Sequence, residues 1–207
     1  MPSADMQWFD EAYYERFYFN PKTRVVDREH FERLGNFVCS YVKYLGVPVR
    51  RVLDVGCGIG LWRDVVYANF PQARYRGVEL SPYLCGRMGW EQGSVVDYRS
   101  QSPFDVVICQ GVLGYLNPPD LALALRNLGV LCQGVLYLEV ATREDYERDV
   151  IDDTLSDPRL FRHRAQRIRD GLQPNFREMG GGLWLSDRCD VPTYELEGLR
   201  AAGRAGG

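Results

Sequence analysis

The sequence holds no Cys-x-x-Cys pair. Its six cysteines, Cys39, Cys57, Cys85, Cys109, Cys132 and Cys189, are scattered, and two fall inside apolar runs. A zinc site or a disulfide frame needs paired spacing, so these thiols read as reduced core residues and no metal is expected. No apolar segment approaches the roughly 20 residues that cross a bilayer, and the start "MPSADMQ" has no apolar stretch of the signal-peptide kind. We therefore expect no membrane partner and a cytoplasmic location. An excess of one charge is also missing: 25 Lys and Arg stand against 28 Asp and Glu, a formal net charge of -3 that offers a phosphate backbone no general attraction. No nucleic-acid partner is expected. Histidine is scarce, with only His30 and His163.

What is present is the composition of an ordinary globular domain, 45% hydrophobic and 26% charged over 207 residues. The stretch from Asp10 to Pro21 carries tyrosine and phenylalanine at helical spacing until Asn20-Pro21 interrupts it. Asp27 can cap a second helix, whose apolar positions Phe31, Leu34, Val38, Val42 and Leu45 recur until Gly46 and Pro48 stop it. From Val49 the pattern alternates: "VRRVLDVG" as strand, "LWRDVVYANF" as helix, "ARYRGVEL" as strand, then "FDVVICQG", "PDLALALRNLGVL" and "GVLYLEVA". Such alternation predicts parallel strands joined by right-handed crossovers, buried between helices. Residues 142–172 are expected to be mostly helical, and "GGLWLSDR" and "PTYELEGL" to pair as two strands at the end of the sheet. Residues 1–48 are expected to form a helical cap or lid of the same domain, 49–198 its body and 199–207 a flexible tail.

"VLDVGCGIG", Val52 to Gly60, sets three alternating glycines behind a strand, where backbone can approach a ligand closely and the next helix offers unpaired N–H groups. A dinucleotide fingerprint would need glycine at position 61 or 63, where Leu61 and Arg63 stand. No Gly-Lys-Ser or Gly-Lys-Thr follows, which removes the lysine of a nucleotide triphosphatase. Glu79 ends the following strand at the spacing where doubly wound folds set an acid against ribose hydroxyls.

The motif Asp-x-Gly-x-Gly-x-Gly (Asp54, Gly56, Gly58, Gly60) resembles the first motif of class I S-adenosylmethionine-dependent methyltransferases. The resemblance spans roughly Val49 to Val140. It implies an α/β, Rossmann-like doubly wound, mainly parallel seven-stranded sheet with a terminal antiparallel strand and an N-terminal helical addition. It also implies S-adenosyl-L-methionine as cofactor and S-adenosyl-L-homocysteine as product. On that resemblance Gly56, Cys57 and Gly58 would face the methionine portion and Asp54 would hold its ammonium. Glu79 and Leu80 would meet the ribose side, Asp97 with Val96 the adenine, and Gln110 the place where donor and acceptor meet. Many relatives carry histidine or a carboxylate after the fourth strand, whereas Gly114 and Tyr115 stand here.

Three segments are ambiguous. "NPPD" (Asn117 to Asp120) is similar to an amino-methyltransferase motif but ends in aspartate and suits the start of a helix. "RLFRHRAQRIRD" (Arg159 to Asp170) gathers five arginines that could receive an anion, or form the solvated face of an amphipathic helix with Phe161, Ala165, Ile168 and Leu172 inward. Tyr13, Tyr14, Phe17 and Tyr18 could cover the site or pack into the core. Tyr14 and His163 are the candidate catalytic groups. The expected function is methyl transfer to oxygen or nitrogen of a small molecule. The alternatives are a protein side chain as acceptor, or a regulatory protein that binds the cofactor without turnover. The oligomeric state is left open.

Overall fold

The computed structural model describes residues 6–24, 28–154 and 156–199. Asp27, expected as a helix cap, and residues 200–207 of the expected tail lie outside them. Seven strands, β1 (Arg51–Val55), β2 (Arg74–Glu79), β3 (Glu91–Gln92), β4 (Phe104–Gln110), β5 (Cys132–Glu139), β6 (Phe176–Gly180) and β7 (Leu183–Ser186), form one sheet in the order β3-β2-β1-β4-β5-β7-β6. Neighbours pair in parallel up to β5, and β7 runs antiparallel to both β5 and β6. The chain therefore winds outward from β1 in one direction and from β4 in the other. The crevice between the carboxyl ends of these two strands is where such sheets receive ligands.

Successive residues of the central strands enter different cores, as a period of two requires. Leu53, Val107, Cys109, Leu136 and Leu138 pack on one face, with Leu121, Leu125 and Leu128 of α5 (Pro118–Leu131) and Leu172 of a later helix. Val52, Val106, Ile108, Val135 and Tyr137 pack on the other. There they meet Val38 and Val42 of α2 (Arg28–Tyr44) and Trp62 and Val66 of α3 (Leu61–Asn69). Burial of both faces explains why these strands read as continuous apolar runs. Removing a side chain such as Leu53, which has no exposure, costs about 2 to 5 kcal/mol.

The N-terminal aromatic segment folds as α1 (Glu11–Tyr14), capped by Asp10, whose carboxylate accepts from Tyr13 N at 2.9 Å, and continues as a wider π-turn over Glu15–Phe19. It lies across the carboxyl ends of the strands. There Phe9 and Tyr14 are buried with Leu84 of α4 (Pro82–Met88).

Two expectations need correction. "PTYELEGL" is not a strand: Tyr194 and Leu196 are 80% and 95% exposed, and the partner of "LWLS" is the upstream "FREMG". Gly180, which ends the first of these strands, and Gly181 and Gly182 between them all take positive φ and close the hairpin. The charged stretch after β5 is helical only in α6 (Arg143–Glu147) and α7 (Ala165–Leu172). Phe161 N donates to Gly114 O at 2.7 Å, Arg143 N to His163 O at 2.8 Å and His163 N to Phe161 O at 3.1 Å, so residues 161–163 form a tight non-helical turn bonded to the loop after β4 and to the start of α6. Phe161 is consequently off the helical stripe and 38% exposed, while Ile168 and Leu172 are buried as expected.

Candidate functional site

At the end of β1 the glycine turn is pinned to β2: Gly56 N and Cys57 N both donate to Val78 O, at 2.7 and 3.2 Å. Gly56 (φ +73) leaves no room for a Cβ, which would run into Val112 Cγ2. Gly58 (φ +51) is the opposite case, because a Cβ there would point into open space. One glycine thus permits close packing and the other presents bare backbone to a cavity.

Two buried carboxylates flank this turn. Asp54, 1% exposed, accepts from the Tyr75 hydroxyl at 2.5 Å. Burial pushes its pKa up to about 7, the Tyr75 hydrogen bond opposes that rise, and the nearby Glu79 adds to it. Glu79, 5% exposed, accepts Gly58 N through Oε2 at 2.9 Å. Its Oε1 accepts Leu80 N at 2.8 Å, Ser81 N at 2.9 Å and the Tyr14 hydroxyl at 3.4 Å. Burial raises the Glu79 pKa above the usual carboxylate value, and the backbone donors work against it. Asp54 and Glu79 are marked by their spacing in the sequence; Tyr75, which orients Asp54 from the neighbouring strand, is not, because nothing local shows that its hydroxyl faces inward.

Three adjoining cavities open at this edge of the sheet. One of about 70 Å³ lies between the aromatic cap and the turn, bordered by Tyr14, Glu79, Leu80, Ser94 and Val95. A second, of about 360 Å³, is bordered by Asp54, Cys57, Gly58, Trp62, Gln110 and Glu139. A third, of about 510 Å³, lies beyond Gly111 between Tyr18, Tyr115 and Tyr146. Gly56, Gly58, Gln110, Gly111 and Tyr18 border both of the first two, which makes them parts of one crevice around the turn.

The structure thus gathers Asp54, Gly56, Cys57, Gly58, Glu79, Leu80, Gln110 and Tyr14. It does not gather Val96 and Asp97. Chain reversal after the short β3 brings Ser94 and Val95 to the crevice, leaving Val96 packed against the core and Asp97 exposed. His163 is also elsewhere. Its ring stacks on Phe161 at 6.1 Å, its Nε2 lies 2.8 Å from Leu116 O, and burial lowers its pKa. That bond secures the segment around His163 to the loop after β4 and gives the imidazole a structural task.

Tyr14 is 3% exposed, and burial, together with Glu79, holds its phenol protonated far above neutral pH. Four of the five arginines of the basic run, Arg159, Arg162, Arg167 and Arg169, are engaged within the protein. Arg159 forks onto Asp157, with Nη2 to Oδ2 at 2.6 Å, and donates to Trp8 O; Arg162 pairs with Asp153, Arg167 bonds Pro118 O and Arg169 pairs with Glu178. Asp157 in turn accepts from the Tyr115 hydroxyl at 3.1 Å, and Tyr115 meets the Tyr13 hydroxyl at 2.9 Å, so this network fastens the aromatic cap. Asn117 caps α5, with Asp120 N donating to its Oδ1 at 2.9 Å, so "NPPD" starts a helix.

Comparison with known proteins adds the following. A family model described as a methyltransferase domain matches residues 26–181. A segment of 128 residues is 30% identical to an uncharacterized protein of Synechococcus, over 55% of this chain and 30% of that one. Another of 169 residues is 25% identical to a probable methyltransferase of Aspergillus luteorubrus, over 72% of this chain and 57% of that one. The chain therefore spans less than two thirds of either curated relative. DesVI of Streptomyces venezuelae superposes with a TM-score of 0.59 at 16% identity, over 89% of this chain and 99% of that one. The magnesium protoporphyrin IX methyltransferase of Synechocystis, solved with bound SAH, does so with a TM-score of 0.59 at 20% identity, over 83% and 87%. At these identities the solved structures establish the shared fold. Among the described residues no helix is long and apolar enough to cross a membrane.

Proposed function

The chain belongs to the methyltransferase-domain family, and on that premise we propose that it transfers the methyl group of S-adenosylmethionine to an oxygen or nitrogen of a small molecule, leaving S-adenosylhomocysteine. The observation that carries this reading is the pair of buried carboxylates, Asp54 and Glu79, at the ends of adjacent strands on either side of one glycine turn. Both border open cavity. Hydrogen bonds from Tyr75 and from the backbone offset only part of the cost of burying two such charges, and a ligand with hydroxyls and a cation would offset more.

In this reading Asp54 accepts the amino-acid ammonium, and Glu79 keeps a lone pair on Oε2, beside the Gly58 N–H, for a sugar hydroxyl. In this reading Ser94 and Val95, which border the small cavity, would take the place against the base that was expected of Val96 and Asp97. The Tyr14 hydroxyl already sits on Glu79 as such a hydroxyl would, and the 70 Å³ left there is small, so the cap shifts outward on binding. When bound, the cofactor supplies a methyl already activated by its sulfonium, so the protein's task is alignment and exclusion of water. Phe9, Tyr13, Tyr14 and Tyr18 form the cover for that purpose. The third cavity, at about 510 Å³, has the size of a small-molecule pocket and lies directly beyond Gly111.

The test is calorimetric titration with S-adenosylhomocysteine, followed by incubation with methyl-labelled cofactor and a metabolite extract. Saturable binding and label in low-mass products support the reading. Absence of binding, or label confined to polypeptide, rejects it.

A further inference from the structure

Three residues border both the 360 Å³ cavity and the 510 Å³ cavity: Tyr18, Gly111 and Glu139. A methyl group passing from a donor in the first to an acceptor in the second travels between them. Gly111, at φ +70, presents no side chain, with open space where a Cβ would stand. Tyr18 stays a neutral phenol, because burial, reinforced by Tyr13 and Glu79, pushes its pKa well above the ordinary value. Glu139 is left as the anion at the junction.

The Glu139 carboxylate is held by neutral donors. Gln110 Nε2 stands 3.2 Å from each oxygen, and the Tyr137 hydroxyl donates to Oε2 at 2.8 Å. Gln110 is itself fixed by Trp62 Nε1, which donates to its Oε1 at 2.7 Å. Strand register holds Gln110 and Glu139 side by side at the ends of β4 and β5. Among the described residues no lysine, arginine or histidine pairs with Glu139. Around the larger cavity stand the rings of Tyr13, Phe17, Tyr115 and Tyr146, whose electron-rich faces attract cations; one face each of Tyr13, Phe17 and Tyr146 already carries Arg159, Arg16 and Arg162, at 5.4, 4.8 and 4.3 Å. Asp157 there is already neutralised by Arg159. Lys22 and Arg24 also border it from exposed positions, and Glu139 is itself exposed, so water screens all three charges alike.

We propose that the acceptor is an amine, received as its ammonium between these rings and Glu139, and that Glu139 takes the proton the nitrogen loses before it attacks. This rests on the methyltransferase reading above and narrows it to nitrogen. The ammonium N–H bond breaks, the proton goes to a Glu139 oxygen and the electron pair stays on nitrogen. That pair forms the new N–C bond as the methyl–sulfur bond breaks with its pair to sulfur, turning the sulfonium into a thioether. The methylated ammonium leaves, and Glu139 releases its proton to water.

The test incubates the whole chain with methyl-labelled cofactor and a metabolite extract and classifies the labelled low-mass products. Label retained on cation exchange and stable to base, hence in amines, supports the proposal. Label in neutral ethers or base-labile esters overturns it, and so does the absence of labelled low-mass product from a protein that binds S-adenosylhomocysteine. Failure of that binding would instead remove the methyltransferase reading itself, so the two failures are distinct. With the amine found, Glu139→Gln, which can keep hydrogen bonds to Tyr137 and Gln110, is expected to lower kcat/KM by about 100-fold or more. Undiminished kcat/KM overturns the proposal. The product class is read on the unaltered protein, so a variant that fails to fold does not hide the answer.

Discussion

Asp54→Asn should make the ligand-free protein more stable while weakening its grip on S-adenosylhomocysteine, and pH controls both effects. Burial raises the Asp54 pKa from 3.8 to about 7 in the folded chain. Between these values the folded state keeps a proton that the unfolded state has released, so this carboxylate's contribution to stability falls as pH rises through the window. It is fully present below about pH 4 and lost above about pH 7. Each tenfold difference in proton affinity between the folded and unfolded chain is worth about 1.4 kcal/mol, so the loss amounts to about 4 kcal/mol. An asparagine Oδ1 can still accept from Tyr75 but carries no charge to bury. Urea unfolding should therefore show the stability of the variant relative to wild type growing between about pH 5 and about pH 8 by a few kcal/mol. For the ligand the sign is reversed. The ionised form meets the ligand's ammonium, so wild-type affinity rises with pH up to about 7, whereas the variant binds about 10- to 100-fold more weakly without that rise. Parallel unfolding curves across pH would refute the buried-charge argument. Equal affinities would refute the placement of the amino-acid end at Asp54.

Gly58→Val forces a β-branched residue to φ +51 and fills the cavity its Cβ faces, so affinity for S-adenosylhomocysteine should drop at least about tenfold; unchanged calorimetric affinity would reject the assignment of this turn. Arg159→Ala leaves the Asp157 carboxylate, 4% exposed, without its cation and frees the Trp8 carbonyl contact. Because the arginine itself is 31% exposed, the expected loss is about 1 to 3 kcal/mol, with faster hydrogen exchange over residues 8–18 as the cap loosens. His163→Gln should cost about 1 kcal/mol in unfolding experiments yet leave methyl transfer in place, and an inactive but folded variant would return the histidine to the reaction.

The donor side of this molecule is legible in its sequence for a physical reason. Asp54 lies near the end of β1, an apolar strand, and Glu79 ends β2, whose last three residues are buried; parallel pairing sets Asp54 beside Gly77 and Val55 beside Val78, so the position of each carboxylate follows from counting along the two strands. The glycine turn between them is local, spanning Gly56 to Gly60. Once the chain leaves regular strands the counting fails. β3 has only two residues, Ser94 O accepts from both Asp97 N and Tyr98 N, and this tight reversal swings Asp97 outward while Ser94 and Val95 face inward. The same limit applies to His163 and the basic run. Their periodicity suggested one helix from Arg159, whereas backbone bonds to Gly114 and Arg143 hold residues 161–163 in a non-helical turn.

The proposed acceptor side is assembled from parts far apart in the chain, which no local pattern records. The Tyr13 and Tyr115 hydroxyls that meet are 102 residues apart, and Tyr115 and Asp157 another 42. Such contacts depend on how the aromatic cap and the segment after β5 fold back over the sheet, and tyrosines at helical spacing serve a cap or a core equally well. Glu139 is the exception that could have been found. A charged residue terminating "CQGVLYLE", otherwise apolar from Val135 onward, stands in register beside Gln110, the residue already placed where donor and acceptor meet. In a doubly wound sheet every strand end at the switch point faces the same crevice, so a carboxylate on β5 is as informative there as those on β1 and β2. In the proposed reading Asp54 and Glu79 hold the donor, and by the same reasoning Glu139 would set the charge of the acceptor.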